Sequence, residues 1–142
     1  MKSRKSRIMT LLAVLLLIAA ISLSSWGATS STVDIKNKEG IGNYLVDSTG
    51  MTLYTFKKDS PGKSACMGEC TAMWRVFYAE IKSVPSALKR SDFGSITRGD
   101  GIQQTTYKGM PLYYFVDDKQ PGDTFGNGVF NLWLPARTDG SW

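Results

Sequence analysis

Histidine is absent from the 142 residues, and that absence restricts the chemistry more than anything present. Without an imidazole there is no Ser-His-Asp or Cys-His arrangement, because no side chain serves as the usual general base. The Cys-x-x-Cys-His haem attachment is missing, as are His-ligated zinc and blue-copper sites. Cysteine is almost as scarce. Two residues, Cys66 and Cys70, cannot close a four-thiolate zinc site. No Gly-rich phosphate-binding loop occurs. Carboxylate, tyrosine, lysine and thiol chemistry remain.

Long apolar runs are also lacking, with one exception at the N-terminus. Lys2, Arg4, Lys5 and Arg7 precede an apolar stretch over residues 8–21, followed by the small and polar residues 22–25. Charged, apolar and small in that order is the pattern of a secretory signal, and the run falls short of the ~20 residues of a spanning helix. Small residues at −3 and −1 place cleavage after Gly27, so residues 1–27 are the expected signal peptide. An uncleaved signal is the one route to membrane attachment. No cysteine stands near the boundary, so a periplasmic or secreted protein without a lipid anchor is expected. Four of the 17 basic residues leave with the signal, and 13 remain against 12 acids. The basic character is thus a targeting feature, and a nucleic-acid partner, which needs a basic face, is not expected.

Residues 28–40 form the expected flexible lead-in, 41–136 the domain and 137–142 a tail. Within the domain, residues 43–47 are rich in β-formers, 48–50 form a turn, and 51–56 alternate, which is a hairpin pattern. Residues 95–98 and 102–107 flank Gly99-Asp100-Gly101, a second hairpin. Residues 69–77 form a short helix or a helical turn running into a strand, and one more helical turn is expected over 85–89. Pro111 suits a strand start or an edge. A last strand is expected over 129–134.

Two of these strands are copies. Residues 50–59 and 109–118 share Gly, Met, Leu, Tyr, Phe and Asp at six of ten aligned positions, without a gap. Each copy continues to a Pro-Gly and then to a tryptophan, Trp74 or Trp133. The expectation is an all-β, or mainly β, single domain made of two duplicated hairpin or meander units, with one or two short helical turns. In an extended strand Leu53 faces one way while Tyr54 and Phe56 face the other, so both faces of the strand are covered. Tyr54 and Asp59, repeated as Tyr113 and Asp118, form a Tyr-x4-Asp motif. In the plainer reading each Asp fixes the loop after its strand and each Tyr packs its ring while its hydroxyl bonds a partner unit. In the other, the motif contributes to binding.

Tyr54-x4-Asp59, the cysteine segment, Asp100-Gly101 through Thr106-Tyr107, and Gly109-x-Pro111-Leu112-Tyr113-x-Phe115 resemble the bacterial secreted-repeat proteins, often called predicted lipoproteins with a Tyr-x4-Asp motif. The likeness runs from about Gly42 to Trp133. It implies an exported domain and supplies neither an activity nor catalytic residues. Many relatives carry an acylated cysteine after the signal, which is absent here, and the family's Trp-Pro-Pro stands here as Trp74-Arg75-Val76.

Cys66-x3-Cys70 in an oxidising compartment points to a disulfide staple. The alternative is a thiol-redox or Cu(I) site using Cys66, Met67, Cys70 and Met73, since thiolate and thioether ligands suit that ion. Trp74, Tyr114 and Trp133 are the candidate binding aromatics, with an envelope protein or a polysaccharide as the partner. A glycosidase pair would need Asp59 and Asp118 ~5–10 Å apart across a cleft, and no pattern here requires that. The expected function is a non-catalytic exported module for binding or envelope structure, with no catalytic residue and no cofactor, copper being the alternative.

Overall fold

The computed structural model describes residues 31–142. The expected signal peptide, residues 1–27, lies outside them. Among the described residues, nine strands make three sheets. β1 (Val33–Lys38) pairs with β2 (Gly42–Asp47) in a two-stranded sheet. β5 (Phe93–Thr97), β6 (Gln103–Tyr107) and β7 (Met110–Pro111) make a three-stranded one. Between them runs a four-stranded antiparallel sheet ordered β4-β8-β3-β9, from β3 (Tyr54–Phe56), β4 (Trp74–Val76), β8 (Tyr113–Phe115) and β9 (Trp133–Pro135). A short helix, α1 (Cys70–Met73), enters β4 directly. The domain is mainly β and duplicated.

The duplication organises the central sheet. Equivalent strands β3 and β8 lie antiparallel with Tyr54 opposite Tyr113, which places a local two-fold relation between the copies. On the outer flanks the copies exchange strands. β4, from the first copy, pairs with β8 of the second through Trp74 opposite Phe115. β9, from the second, pairs with β3 of the first through Trp133 opposite Phe56.

A three-way backbone contact shows the same exchange twice. Leu45 N–H donates to Ala136 C=O, Ala136 N–H to Leu53 C=O, and Leu53 N–H to Leu45 C=O, at 2.9, 2.8 and 3.0 Å. In the other half Thr105 N–H donates to Phe77 C=O, Phe77 N–H to Leu112 C=O, and Leu112 N–H to Thr105 C=O, at 2.9, 3.0 and 3.0 Å. Each triangle takes two segments from one copy and the third from the other.

Alternation along β3 and β8 divides the apolar side chains between two cores. Leu53 and Leu112 enter one with Val33, Leu45, Phe77, Phe93 and Tyr107. Tyr54, Phe56, Tyr113 and Phe115 enter the other with Trp74, Trp133 and Cys66. Strands covered on both sides read as apolar at consecutive positions, which is why the expected two-sided burial is seen.

Three local expectations change. Val33–Lys38 is strand β1, inside the segment expected as a flexible lead-in: Val33 is fully buried, and the ladder to β2 runs from Val33 opposite Asp47 to Lys38 opposite Gly42. Over 129–134 the strand is confined to β9. Gly128, Phe130 and Asn131 hold positive φ of 80, 52 and 56°, incompatible with extended backbone. The helical turn expected over 85–89 is present, closed by Leu88 N–H on Pro85 C=O, and a 3-10 turn follows at Arg90–Asp92. Residues 137–142 are tied back, with Thr138 N–H on Asn43 C=O and the Trp142 ring edge-on to Tyr107.

Candidate functional site

The motif residues meet at the local two-fold, and they meet crosswise. Tyr54 Oη donates to Asp118 Oδ2 at 2.6 Å, and Tyr113 Oη donates to Asp59 Oδ2 at 2.7 Å. The tyrosine of each copy therefore bonds the aspartate of the other. The second oxygen of each carboxylate fixes the following loop: Asp59 Oδ1 accepts Ala65 N–H at 2.6 Å, and Asp118 Oδ1 accepts Phe125 N–H at 2.9 Å.

These four groups are buried. Burial pushes both carboxyl groups above the ordinary carboxylate range, opposed at Asp59 by Ala65, Tyr113 and Arg98, and at Asp118 by Tyr54 and Phe125. Burial together with the facing carboxylate pushes Tyr54 and Tyr113 well above the ordinary phenol value. Tyrosines raised in this way stay protonated and act as donors.

A cation from each copy's leading hairpin reaches the loop of the other. Arg98, just past β5, is buried and donates to Ser64 Oγ, Gln104 Oε1 and Cys66 C=O, with Asp100 as its ion pair at 3.1 Å. Ser64 Oγ lies 2.7 Å from Tyr113 Oη, so the guanidinium joins the network of Tyr113 and Asp59. Its counterpart Lys38, at the end of β1, reaches Thr124 Oγ1 at 2.7 Å in the loop after Asp118. Neither cation stands out in the linear sequence. The signal that would have found them is the duplication extended upstream, where both are the last cation before a hairpin turn.

The candidate aromatics separate by burial. Trp74 and Trp133 stack on each other with centroids 3.7 Å apart and planes 2° apart. Phe56 stacks on Trp133 at 4.2 Å, and Phe115 tilts against Trp74 at 4.4 Å. Both indoles are buried, so their faces are occupied by the core and not presented to a ligand. Tyr114 alone of the three reaches the surface. It is half-buried, donates to Asp47 Oδ2 at 2.8 Å and has Arg75 over its ring at 5.9 Å.

Cys66 and Cys70 are joined in a disulfide with Cα atoms 5.3 Å apart. Met67 and Met73 beside it are exposed, and Met67 Sδ accepts from Arg98 Nη2 at 3.2 Å. Among the described residues no group of three or more Cys, Asp or Glu side chains is placed to hold a metal ion. Chemically, the motif is a set of filled hydrogen bonds between buried groups.

Residues 37–77 and 94–137 each match a family model described as a secreted repeat of unknown function. The chain belongs to this secreted-repeat family. The two matched segments are the two copies, so the boundary between repeats falls in the connector between β4 and β5. No curated protein and no solved structure matches the chain. Among the described residues no helix is long and apolar enough to cross a membrane.

Proposed function

We propose that this secreted repeat is a non-catalytic module that binds a component of the cell envelope, either a polysaccharide or a protein, through its surface. The observation that supports this reading is the crossed Tyr54–Asp118 and Tyr113–Asp59 pairing. With the loop N–H groups it engages both oxygens of each carboxylate, and it holds the phenols as donors. Acid–base catalysis needs a group within hydrogen-bond reach of substrate and poised near the working pH. These tyrosines and carboxylates have each other instead, which suits a scaffold.

The test is sedimentation with isolated envelope polysaccharide, scoring both retained protein and soluble fragments released. Retention without fragment release is expected, and it should survive Tyr54→Phe because the motif supports the fold and not the contact. Steady release of fragments would overturn the non-catalytic reading.

A second reading, thiol-redox or Cu(I) handling, has one observation in its favour: close to the two cysteines in the sequence stand Met67 and Met73, 40 and 42% exposed. It needs the bond reduced first, and Cys66 is fully buried. Reduced protein that takes no Cu(I) from a competing chelator, or Cys66→Ser and Cys70→Ser variants that take as much, would remove it.

A further inference from the structure

The two copies agree at the crossed tyrosine–aspartate bonds and at the backbone triangles, so places outside these where they differ are open to other use. The clearest lies just past the exchanged strands. Ala136 and Phe77 occupy equivalent positions in the two backbone triangles, and the next residues are Arg137 in one copy and Tyr78 in the other. Arg137 lines a cleft of about 290 Å³ shared with Ile41, Lys57, Asn127, Ser141 and Trp142. That size is at the low end of the ~300–1,000 Å³ range of ligand sites.

Two cations of this cleft, Lys57 and Arg137, have few protein acceptors. Lys57 Nζ has no hydrogen-bond acceptor or ion-pair partner among the described residues. Arg137 Nε is shielded from solvent and also lacks an acceptor. Its Nη2 has one loose ion pair, to Asp139 Oδ2 at 3.3 Å, with Asp139 itself more than half exposed. A shielded N–H without an acceptor is a standing cost, whereas the arginine side chain as a whole is 40% exposed and its Nη2 is a charge-assisted donor that a carboxylate can engage. Asp139 can yield that donor without losing its own support, because its Oδ1 holds Ser141 N–H at 2.9 Å and Ser141 Oγ at 2.7 Å. The arginine backbone is fixed by a bridge to Tyr44, and the guanidinium lies beside Gly42.

The remaining surface is flat and amphipathic. Trp142 is half-buried with its edge against Tyr107, and Ile41 provides apolar surface beside it. Asn127 adds an amide with no protein partner among the described residues. An indole suits the C–H face of a sugar ring, the amide suits its hydroxyls, and two cations suit a carboxylate. Resting on the reading of the protein as an envelope-binding module, we propose that this cleft binds a carboxylated sugar, with the carboxylate on Arg137 and Lys57 and the ring against Trp142.

The test is a calorimetric titration of the whole secreted protein with tri-galacturonate, with its methyl ester, and with an N-acetyl dipeptide bearing a free carboxylate. The acidic sugar should bind at least about tenfold tighter than either control, the difference a charge-assisted hydrogen bond supports, and binding should weaken with salt. Arg137→Gln and Lys57→Gln should each weaken it by about tenfold while leaving the near-UV circular dichroism unchanged. Equal binding of the ester or the dipeptide would overturn the proposal, as would acidic-sugar binding that neither variant weakens. If none of the three probes binds while envelope polysaccharide still retains the protein, the cleft assignment fails alone. If retention fails too, the module reading fails with it.

Discussion

At the scale of single residues, the crossed hydrogen bonds set the energetics. Tyr113→Phe leaves Asp59 buried with one donor fewer, and leaving a buried acceptor unsatisfied costs about 1–3 kcal/mol. Tyr54→Phe does the same to Asp118, so the local two-fold relation predicts similar losses from the two variants, measured by urea unfolding. The carboxyl groups also predict a pH dependence. Asp59 and Asp118 are raised in the folded state, so their contribution is fully present below the unfolded carboxylate value and is lost as pH rises through the folded value. Asp47 is lowered by Thr49, Tyr114 and Met51 against its burial, so its contribution is lost as pH falls through its own folded value. Stability should therefore increase as pH falls from neutral into the window above the ordinary carboxylate range, then decrease at lower pH. Urea midpoints across that range check it, and Asp59→Asn should reduce the rising limb. The motif residues themselves were legible from the sequence, because the same letters at the same spacing occur twice. Arg98 was not. A strand-end arginine before a Gly-containing turn normally projects into solvent, and only the packing of the Cys66 loop over it makes it a buried hub.

At the scale of elements, loop closure and tight packing carry the predictions. The Cys66–Cys70 bond closes a very short loop, and the chain-entropy relation for such a loop gives about 2 kcal/mol. Reduction should lower the melting temperature without abolishing the fold, as followed by circular dichroism with and without a reductant. Gly126 lies against the second core, where an added Cβ would come 2.8 Å from two Tyr54 ring atoms and 2.9 Å from Trp74. Gly126→Ala is thus expected to cost about 1–3 kcal/mol through overpacking, seen as a lower urea midpoint. Among the elements, the hairpin around Asp100 follows from a local pattern and was expected, while α1 running into β4 is one of the two readings that the sequence left open for that segment. β1 was hidden because its sequence, Val-Asp-Ile-Lys-Asn-Lys, has only two apolar side chains. The ladder to β2 makes it a strand. The 129–131 segment looks β-forming by composition, yet Gly128 turns the chain into left-handed backbone that Phe130 and Asn131 then continue.

At the scale of the whole molecule, duplication was visible and exchange was not. Six shared letters in ten show that two units exist, but identical strands carry no mark of which copy each should pair with. The observed answer makes each half depend on the other. β4 completes the sheet of the second copy, β9 that of the first, and the tyrosine–aspartate bonds tie both across the middle. Membership of a secreted-repeat family matched over two segments fits a domain whose smallest stable unit is the pair. It also explains where a binding surface is to be sought: the repeated residues are committed to the interlock, and the asymmetric rim around Arg137 is not.

Native-state hydrogen exchange at increasing denaturant tests the interlock most directly, read at the amides of Leu45, Leu53 and Ala136 and of Thr105, Leu112 and Phe77. Strand exchange predicts that all six merge into one global unfolding isotherm with a common free energy and denaturant slope. If one triangle opened at a distinctly lower free energy while the other stayed protected, the halves would be separable, and the account would be contradicted.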